Sequence, residues 1–219
     1  MNRKDHEQAI RKKILITANK LFLEKGYHKT TVRQIIQHAD IRNGTLYHYY
    51  KDKEDIYKNI VIKIFDRVIE RTEQLIPNHL ATPELYITAE FIWHFEAMLL
   101  GKNTAELYYI AYSASSISSE ILQKRSERHS TLFAETAPHL SMEEHRVRSL
   151  MCKGYLQASA LEAMNDALSD TEDFLDRSIG LLLALYLQDQ QRIKKAIQDA
   201  RSLRIGDYVS KTEAREVIQ

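Results

Sequence analysis

Residues 39–54 read ADIRNGTLYHYYKDKE and predict a short helix from about residue 43 to residue 50. Leu46 and Tyr50 lie four residues apart, so they share one side of that helix and are expected in the core. The other positions lie on the opposite side and on its flanks: Gly44, Thr45, Tyr47, His48 and Tyr49. This helix therefore turns a polar surface with flat aromatic rings toward a partner.

Two helices are expected before this one. Apolar residues recur at helical spacing over residues 5–25, and Gly26 ends that first helix as a C-terminal cap. Thr31 followed by Gln34 has the spacing of a capping box, so a second helix begins there and ends near Asp40. The chain thus begins with three helices, of which the second and third are joined by a tight turn.

The composition favours helices in the rest of the chain as well. Of the 219 residues, 44% are apolar and 28% are charged, while six glycines and three prolines give too few turns for a barrel or a sandwich. Cys152 is the single cysteine, the N-terminus lacks an apolar signal segment, and no apolar run reaches the roughly 18 residues of a membrane span. We therefore expect an all-α cytoplasmic protein with no membrane partner.

The charges are distributed unevenly along the chain. Residues 1–55 carry a net charge of +5 and residues 56–219 a net charge of −4, although the whole chain has only +1. A basic N-terminal quarter indicates a polyanionic partner for that part alone. Solvated charges scattered unevenly along the chain would give the same net charges. The sequence motifs are therefore needed to decide between this reading and a polyanionic partner.

A short helix, a tight turn and a second short helix inside a basic unit form the helix-turn-helix layout, whose second helix enters the major groove of DNA. Residues 14–56, ILITANKLFLEKGYHKTTVRQIIQHADIRNGTLYHYYKDKEDI, resemble the DNA-binding domain of the TetR family of bacterial transcriptional regulators. The shared pattern has leucine-phenylalanine before glycine-tyrosine, then a threonine-threonine-valine helix start. It continues with glycine-threonine-leucine-tyrosine, further aromatic residues and a lysine-x-lysine-glutamate segment.

The exposed side of the third helix suits contacts with DNA. Gly44 lets the backbone settle close to the groove, and Thr45 and His48 can reach base edges or phosphates. The tyrosine hydroxyl groups on the flanks suit phosphate oxygens. The predicted DNA-binding residues are Thr31, Arg33, Arg42, Asn43, Gly44, Thr45, Tyr47, His48, Tyr49 and Lys53.

Some of these assignments depend on the resemblance, and two positions depart from it. The resemblance implies phosphate contacts for Thr31 and Lys53, at the starts of the second and fourth helices. Asp40 stands where the family usually has glycine, but aspartate tolerates left-handed geometry, so the turn is expected to survive. Arg42 stands where a serine usually caps the helix; it is either tolerated at a cost or useful because it reaches a phosphate or base. Arg33 is either a phosphate contact or a solvated arginine.

The remaining residues predict a larger helical domain. Asp52 caps a long fourth helix that begins at Lys53 and has two apolar faces, so it touches two units. We expect a helix-turn-helix domain over 1–52, a ligand-binding and dimerisation domain over 53–204, and a polar tail over 205–219. Capping residues and glycines place the later helices at about 82–100, 141–168 and 171–203, with two more inside 103–136.

In the TetR family the larger domain binds a ligand and forms the dimer, and the resemblance implies both here. Aromatic residues followed by serines between 86 and 119 suit a pocket, although an aromatic stripe is also the ordinary pattern of a core. The predicted ligand-binding residues are Phe91, Trp93, Phe95, Met98, Tyr108, Tyr109, Tyr112 and Ser116. Large and small residues alternate on the last two helices, as in a four-helix interface, although burial within one subunit gives the same pattern. The predicted dimer residues are Met151, Tyr155, Ala158, Leu182, Leu185 and Tyr186.

These observations predict a homodimeric, sequence-specific DNA-binding regulator, and family usage favours a repressor that a small-molecule inducer releases from a double-stranded operator. The alternatives are a DNA-binding regulator controlled by a protein partner, and a helical enzyme or lipid carrier whose N-terminal unit is only structural. We expect no catalytic activity, cofactor or metal. The sequence lacks a zinc-binding histidine pair, a glycine-rich phosphate loop and a nucleophile elbow.

Overall fold

The computed structural model describes residues 3–168 and 171–205, without the side chains of Arg3 and Thr171, and these residues form an all-helical fold. The ten helices found there are α1 (Arg3–Lys25), α2 (Val32–His38), α3 (Asn43–Tyr49), α4 (Lys53–Leu75), α5 (Pro83–Leu99), α6 (Lys102–Ser113), α7 (Ser115–Leu132), α8 (Met142–Met164), α9 (Thr171–Leu183) and α10 (Gln190–Ser202). The prediction of an all-α protein is confirmed. In the part of the chain that the structure describes, no helix is long and apolar enough to cross a membrane.

The first three helices form the expected helix-turn-helix domain around a small apolar core. Phe22 of α1, Ile35 of α2 and Leu46 of α3 are all fully buried in it. Thr31 and Gln34 form the predicted capping box, each side chain bonding the other residue's backbone N–H group. Asp40 has φ +46, so it adopts the left-handed conformation that the tight turn requires.

Helix α4 joins this domain to the rest of the chain. The Asp52 carboxylate accepts the backbone N–H of Asp55 at 2.8 Å and thus caps the helix where predicted. Ile56 and Tyr57 are buried at the beginning of the helix and Phe65 at its middle. A helix buried on more than one face contacts more than one neighbour, here α1, α5 and α7.

Helix α5 lies at the centre of the larger domain. Every residue from 86 to 95 is buried, because α4, α6, α9 and α10 pack around it. Helix α8 begins with the predicted capping box of Ser141 and Glu144 and packs against α6 and α7. The predicted break between two helices in 103–136 occurs at Ala114, where α6 ends and α7 begins.

The last part of the chain differs from the prediction. A single helix over 171–203 is wrong, since α9 ends at Leu183 and α10 begins at Gln190. The Asp189 carboxylate accepts the backbone N–H groups of Gln191 and Arg192 at 2.8 and 3.3 Å, which makes Asp189 an N-cap rather than an interior residue. Helix α8 also ends at Met164 instead of near residue 168. Of the predicted tail, residues 206–219 lie outside the described residues.

Candidate nucleic-acid interface

The third helix has the two-sided character that its sequence predicts. Leu46 is fully buried and Tyr50 is 3% exposed, so both belong to the core as expected. The N-terminal turn and the outer face are open to solvent: Arg42, Asn43, Gly44, Tyr47 and His48 are exposed, while Thr45 and Tyr49 are half-buried. A Cβ atom added to Gly44 would meet no atom within 4 Å, so the helix backbone itself is accessible at that point.

The N-terminus of α3 has no side-chain cap. Arg42 occupies the capping position in extended conformation and forms no capping hydrogen bond. A guanidinium group cannot accept a hydrogen bond, so it cannot replace the serine usual at this position. The Arg42 side chain is therefore left exposed beside the first turn of the helix, where a DNA backbone would be in its reach.

Arg11 of α1 is a neighbour of α3 that the sequence analysis missed. Its guanidinium carbon lies 4.9 Å from the centre of the Tyr49 ring and 6.0 Å from that of Tyr50. Burial raises the pKa of Tyr50, and Arg11 partly opposes that rise. A basic residue one turn before Leu15 at the edge of the apolar stripe was the available signal, but spacing alone could not show that α1 crosses the aromatic end of α3.

Lys53 has a different position from the one expected for a free phosphate contact. Its ammonium group donates to the carbonyl oxygens of Tyr27 at 2.8 Å and of Thr30 at 2.9 Å, and lies 4.1 Å from the centre of the Tyr27 ring. Burial lowers the pKa of Lys53, while Glu106 raises it. The phosphate contact that the resemblance implies for Lys53 stays a prediction, and the structure adds a second role, because the side chain holds the loop between α1 and α2.

Thr31 and Arg33 remain on the surface beside α3. The Thr31 hydroxyl belongs to the capping box, and its residue is exposed, as is Arg33 at the second position of α2. Both side chains are exposed, so they are free to make the phosphate contacts predicted for them.

The residues predicted to bind a ligand are largely inside the C-terminal domain. Phe91, Phe95 and Met98 are fully buried in α5, and Trp93 and Tyr112 are buried as well. Tyr108 and Tyr109 are half-buried on α6. Ser116 is the exception, since it is exposed and its hydroxyl donates to Glu54 of α4. Ser116 therefore connects two helices at the surface and does not lie among the aromatic side chains.

A cluster of four buried ionisable side chains, which the sequence analysis did not find, connects α5 to α7. Glu90 and His94 come from α5 and Arg125 and His129 from α7, and each is at most 3% exposed. Arg125 donates to Glu90 Oε1 from Nε at 3.2 Å and from Nη2 at 3.1 Å. Nη2 also lies 3.2 Å from His94 Nε2, and His129 Nε2 lies 3.6 Å from Glu90 Oε2. We call these four residues the buried charge cluster.

The hydrogen bonds assign the protons of this cluster. Guanidinium nitrogens only donate, so His94 accepts at Nε2 and carries its proton on Nδ1, 3.4 Å from the Tyr108 hydroxyl. Burial lowers the pKa of His94 and of His129, although the neighbouring Glu90 carboxylate opposes this. Burial alone would raise the pKa of Glu90, yet Arg125 and the two histidines hold it well below its usual value. The cluster is thus one carboxylate, one guanidinium and two neutral imidazoles.

Some polar atoms near the cluster lack a hydrogen-bond partner among the described residues. They are Nη1 of Arg125, Nε2 of His129, Nδ1 of His145 and Oγ of Ser149. Buried donors and acceptors without partners are costly in a protein core. The guanidinium of Arg125 is held on one edge by Glu90, and the phenyl rings of Phe65 and Phe91 lie 5.7 and 5.9 Å from its carbon. A fixed donor in an aromatic surrounding suits a ligand that carries a hydrogen-bond acceptor.

The predicted dimer residues divide into exposed and internal ones. Met151 is 53% exposed and Ala158 is also exposed, whereas Leu182 is buried within its own chain. Tyr155 bonds Ser178 through its hydroxyl at 2.7 Å. Leu185 and Tyr186 are half-buried, and the Tyr186 hydroxyl lies 2.7 Å from Nδ1 of His129. Leu182 and Tyr186 therefore help to build the subunit itself.

A second group of apolar residues on α8 and α9 is exposed instead. Its members are Val147, Leu150, Met151, Leu161 and Leu181. On α8 the four positions 147, 150, 151 and 161 fall within about 100° of one another around the helix axis at 3.6 residues per turn, so they lie on one face of the helix. Leu181, at 65%, is the most exposed of these side chains. A contiguous apolar stripe of this kind indicates an interaction surface.

The role of Lys53 leads to a stability prediction. Replacing Lys53 with alanine should lower the free energy of unfolding by about 1–3 kcal/mol, because two carbonyl groups lose a charged donor. Urea denaturation followed by circular dichroism measures this change. Arg33→Ala is the matched control, since it removes an exposed positive charge from the same domain and should change stability by less than about 0.5 kcal/mol. Equal stabilities of wild type and Lys53→Ala would contradict this structural role.

The buried histidines lead to a pH prediction. Burial lowers the pKa values of His94, His129 and His145 in the folded protein. These histidines therefore stay neutral at a pH at which the same residues are already protonated in the unfolded chain. The unfolded state then binds more protons, so the unfolding free energy should fall between pH 6.5 and pH 5, by up to about 1.4 kcal/mol per pH unit and histidine. His94→Gln should reduce this slope in denaturation experiments. An unfolding free energy that stays constant or rises as the pH is lowered from 6.5 to 5 would rule out neutral histidines in the folded protein.

Comparison with known proteins supports the helix-turn-helix domain and the overall fold. The model of the bacterial regulatory proteins of the tetR family matches residues 14–60. The fatty acid metabolism regulator protein of Bacillus subtilis is 30% identical over 114 residues, which are 52% of this chain and 57% of that protein. The aligned segments cover only 29% and 42% of two further curated relatives.

Two solved structures share the fold over most of the chain. SmeT, the repressor of the Stenotrophomonas maltophilia multidrug efflux pump SmeDEF, has a TM-score of 0.60 at 20% identity and covers 82% of this chain and 91% of its own. FadR from Bacillus subtilis in complex with stearoyl-CoA has a TM-score of 0.58 at 22% identity and covers 80% and 98%. The helix-turn-helix domain, residues 14–60, thus belongs to the tetR family of bacterial regulatory proteins, and the chain shares its fold with these two structures over most of its length.

Proposed function

We propose that this protein is a homodimeric transcriptional repressor that binds a near-palindromic DNA operator through α3 and is released from it by a small molecule. The observation that carries the proposal is the solvent-exposed outer face of α3, in a domain whose sequence matches the family. Because the DNA of a bacterium lies in the cytoplasm, we propose that the protein acts there. The proposed boundary between the DNA-binding and regulatory domains lies between residues 52 and 53.

The exposed face of α3 supports sequence-specific binding. Asn43 and His48 project hydrogen-bonding groups from it, and half-buried Thr45 adds a hydroxyl and a methyl group. Arg33 and Arg42 supply positive charge on either side for phosphate oxygens. Tyr47 and Tyr49 add rigid hydroxyl groups at the edges of this surface. Base contacts and backbone contacts are thus both available on one side of the domain.

The apolar stripe on α8 and α9 supports the homodimer. In a two-fold dimer the same surface of each subunit meets that of the other, so the stripe of one copy would be covered by the stripe of the second copy. The two DNA-binding domains then face successive major grooves roughly 34 to 36 Å apart. Met151 and Ala158 remain in the proposed interface, with Val147, Leu150 and Leu181 added from the exposed residues.

The buried charge cluster supports regulation by a small molecule. The Nη1 atom of Arg125 has no geometric hydrogen-bond partner among the described residues, and the guanidinium lies beside Phe91, which was predicted to touch a ligand. The FadR complex with stearoyl-CoA is a precedent for a small molecule bound to this fold. A ligand shifts operator binding only if its affinity differs between the DNA-binding and released states.

Selection of DNA fragments from a random library tests the DNA-binding proposal. The purified protein should enrich an inverted repeat with half-sites about one helical turn apart. His48→Ala and Thr45→Ala should change the preferred bases. Arg33→Ala should weaken binding to all sequences alike, and it should reduce by about 0.9 the steepness with which the logarithm of the binding constant falls against the logarithm of the salt concentration. His139→Ala is the control, because His139 is an exposed histidine in the loop before α8. If both α3 variants keep the wild-type affinity and preference, α3 does not read the operator.

Substitution in the apolar stripe tests the dimer. Met151→Glu should convert the dimer to a monomer in sedimentation velocity, because the interface would bury two unpaired carboxylates. Met142→Glu is the matched control: Met142 is equally exposed but lies nine residues earlier, on the opposite side of α8. A dimer that survives Met151→Glu would mean that another surface joins the subunits.

A further inference from the structure

Two side chains of α6 hold the C-terminal end of α1. Glu106 accepts the backbone N–H of Tyr27 at Oε2, 2.9 Å away, and the N–H of His28 at Oε1, 3.4 Å away. Asn103, three residues earlier on the same face of α6, donates to the carbonyl oxygen of Leu23 at 3.0 Å. These backbone groups lie at or beyond the end of α1, where helical partners run out. Helix α6 of the larger domain therefore supplies hydrogen bonds that the DNA-binding domain lacks.

Gly26 makes this close approach possible. Its φ of +88 is the left-handed conformation that ends α1. A Cβ atom at this position would also lie 2.4 Å from Oε2 of Glu106, which is too close for a real contact. The glycine is thus required both by the backbone turn and by the Glu106 carboxylate that lies against it.

The same loop is held from its other side by α4. Lys53 binds the carbonyl groups of Tyr27 and Thr30, as described above. The hydroxyl of Tyr57, also on α4, donates to the carbonyl of Leu107 in α6 at 2.5 Å. The loop, the start of α4 and the first half of α6 are therefore joined by side-chain bonds in a closed triangle.

Helix α6 also reaches the buried charge cluster. Tyr108 lies two residues after Glu106, and its hydroxyl lies 3.4 Å from Nδ1 of His94. Any shift of α6 at the cluster is therefore carried within one turn to the residue that holds the α1–α2 loop. A stiff helix transmits such a shift because its residues move together.

From this arrangement we propose that Glu106, assisted by Asn103, is a positioning residue that sets the angle of the DNA-binding domain on the rest of the subunit. The inference rests on the proposed operator-binding function. A single domain can dock on one half-site at any angle, but a dimer must present two α3 helices at the spacing of successive major grooves. Losing Glu106 should therefore weaken binding to the full operator and spare the half-site.

The test compares Glu106→Ala with wild type on three DNA duplexes: the selected full operator, its half-site and a random sequence. Glu106→Ala should lose about tenfold in affinity for the full operator, within the usual range for coupling between sites. Its affinity for the half-site and the random duplex should stay equal or rise slightly, because a negative charge has been removed near DNA. Asn103→Ala should change the full-site affinity in the same direction by a smaller factor.

Two control variants separate this role from simpler ones. Glu106→Gln keeps an oxygen acceptor at the same place and should retain the full-site affinity. Glu24→Ala removes the same charge from an exposed position at the end of α1 and should not lose affinity. A loss in Glu24→Ala, an equal loss on full site and half-site in Glu106→Ala, or no loss in Glu106→Ala would each overturn the proposal.

A second measurement reads the angle without DNA. A spin label on a cysteine introduced at exposed Lys13 of α1 reports the distance between the two DNA-binding domains of the dimer by electron double resonance, and buried Cys152 stays unlabelled. Glu106→Ala should broaden this distance distribution, while Glu106→Gln should not. If the wild-type protein selects no DNA sequence, the proposed function fails, but the distance distribution still tests the role of Glu106. A distribution of equal width in Glu106→Ala and wild type would then overturn the inference.

Discussion

The arrangement of the whole subunit depends on how one short backbone loop, residues 26–30, is hydrogen-bonded. Its N–H groups are taken by a carboxylate from α6 and its carbonyl groups by an ammonium group from α4. The Thr30 hydroxyl also donates to the carbonyl of Gly26 at 2.8 Å. Buried backbone groups must find partners, so the loop can hold this shape only while both neighbouring helices stay in place. The DNA-binding domain is thereby attached to the larger domain through polar bonds as well as through the apolar faces of α1 and α4.

The larger domain contains a second constraint of the same kind at its centre. Glu90 and Arg125 are both buried, and removing such an ion pair from water costs more than an apolar pair of similar size. Two neutral histidines and the hydroxyl groups of Tyr108 and Tyr186 complete most of the hydrogen bonds around it. A core chosen for stability alone would place apolar residues here. Under the proposed function, the cluster is the part of the core that responds to a ligand, and α6 connects it to the loop that Glu106 holds.

The elements that local chemistry decides could be predicted, and those that depend on packing could not. Thr31 with Gln34 and Ser141 with Glu144 cap helices as expected, because a capping box is completed within four residues. The division of the last helix was missed because Asp189 reads equally well as a surface residue of a long helix and as an N-cap. Lys53 was assigned to phosphate from the resemblance and Ser116 to a ligand from its place after the aromatic residues. Sequence spacing could not show that their side chains meet Tyr27, Thr30 and Glu54, which are distant along the chain.

The sequence by itself determined that the chain is all-helical, that a helix-turn-helix begins it, and which face of α3 is open to solvent. Hydrophobic periodicity, capping residues and turn residues act over a few positions, so they are visible without coordinates. Only the tertiary structure decided that Arg11 covers Tyr49, that four ionisable groups meet between α5 and α7, and that Glu106 holds the loop after α1. These contacts join residues 31 to 79 positions apart, and nothing in the spacing of a single sequence specifies such pairs, because they arise from how the helices pack.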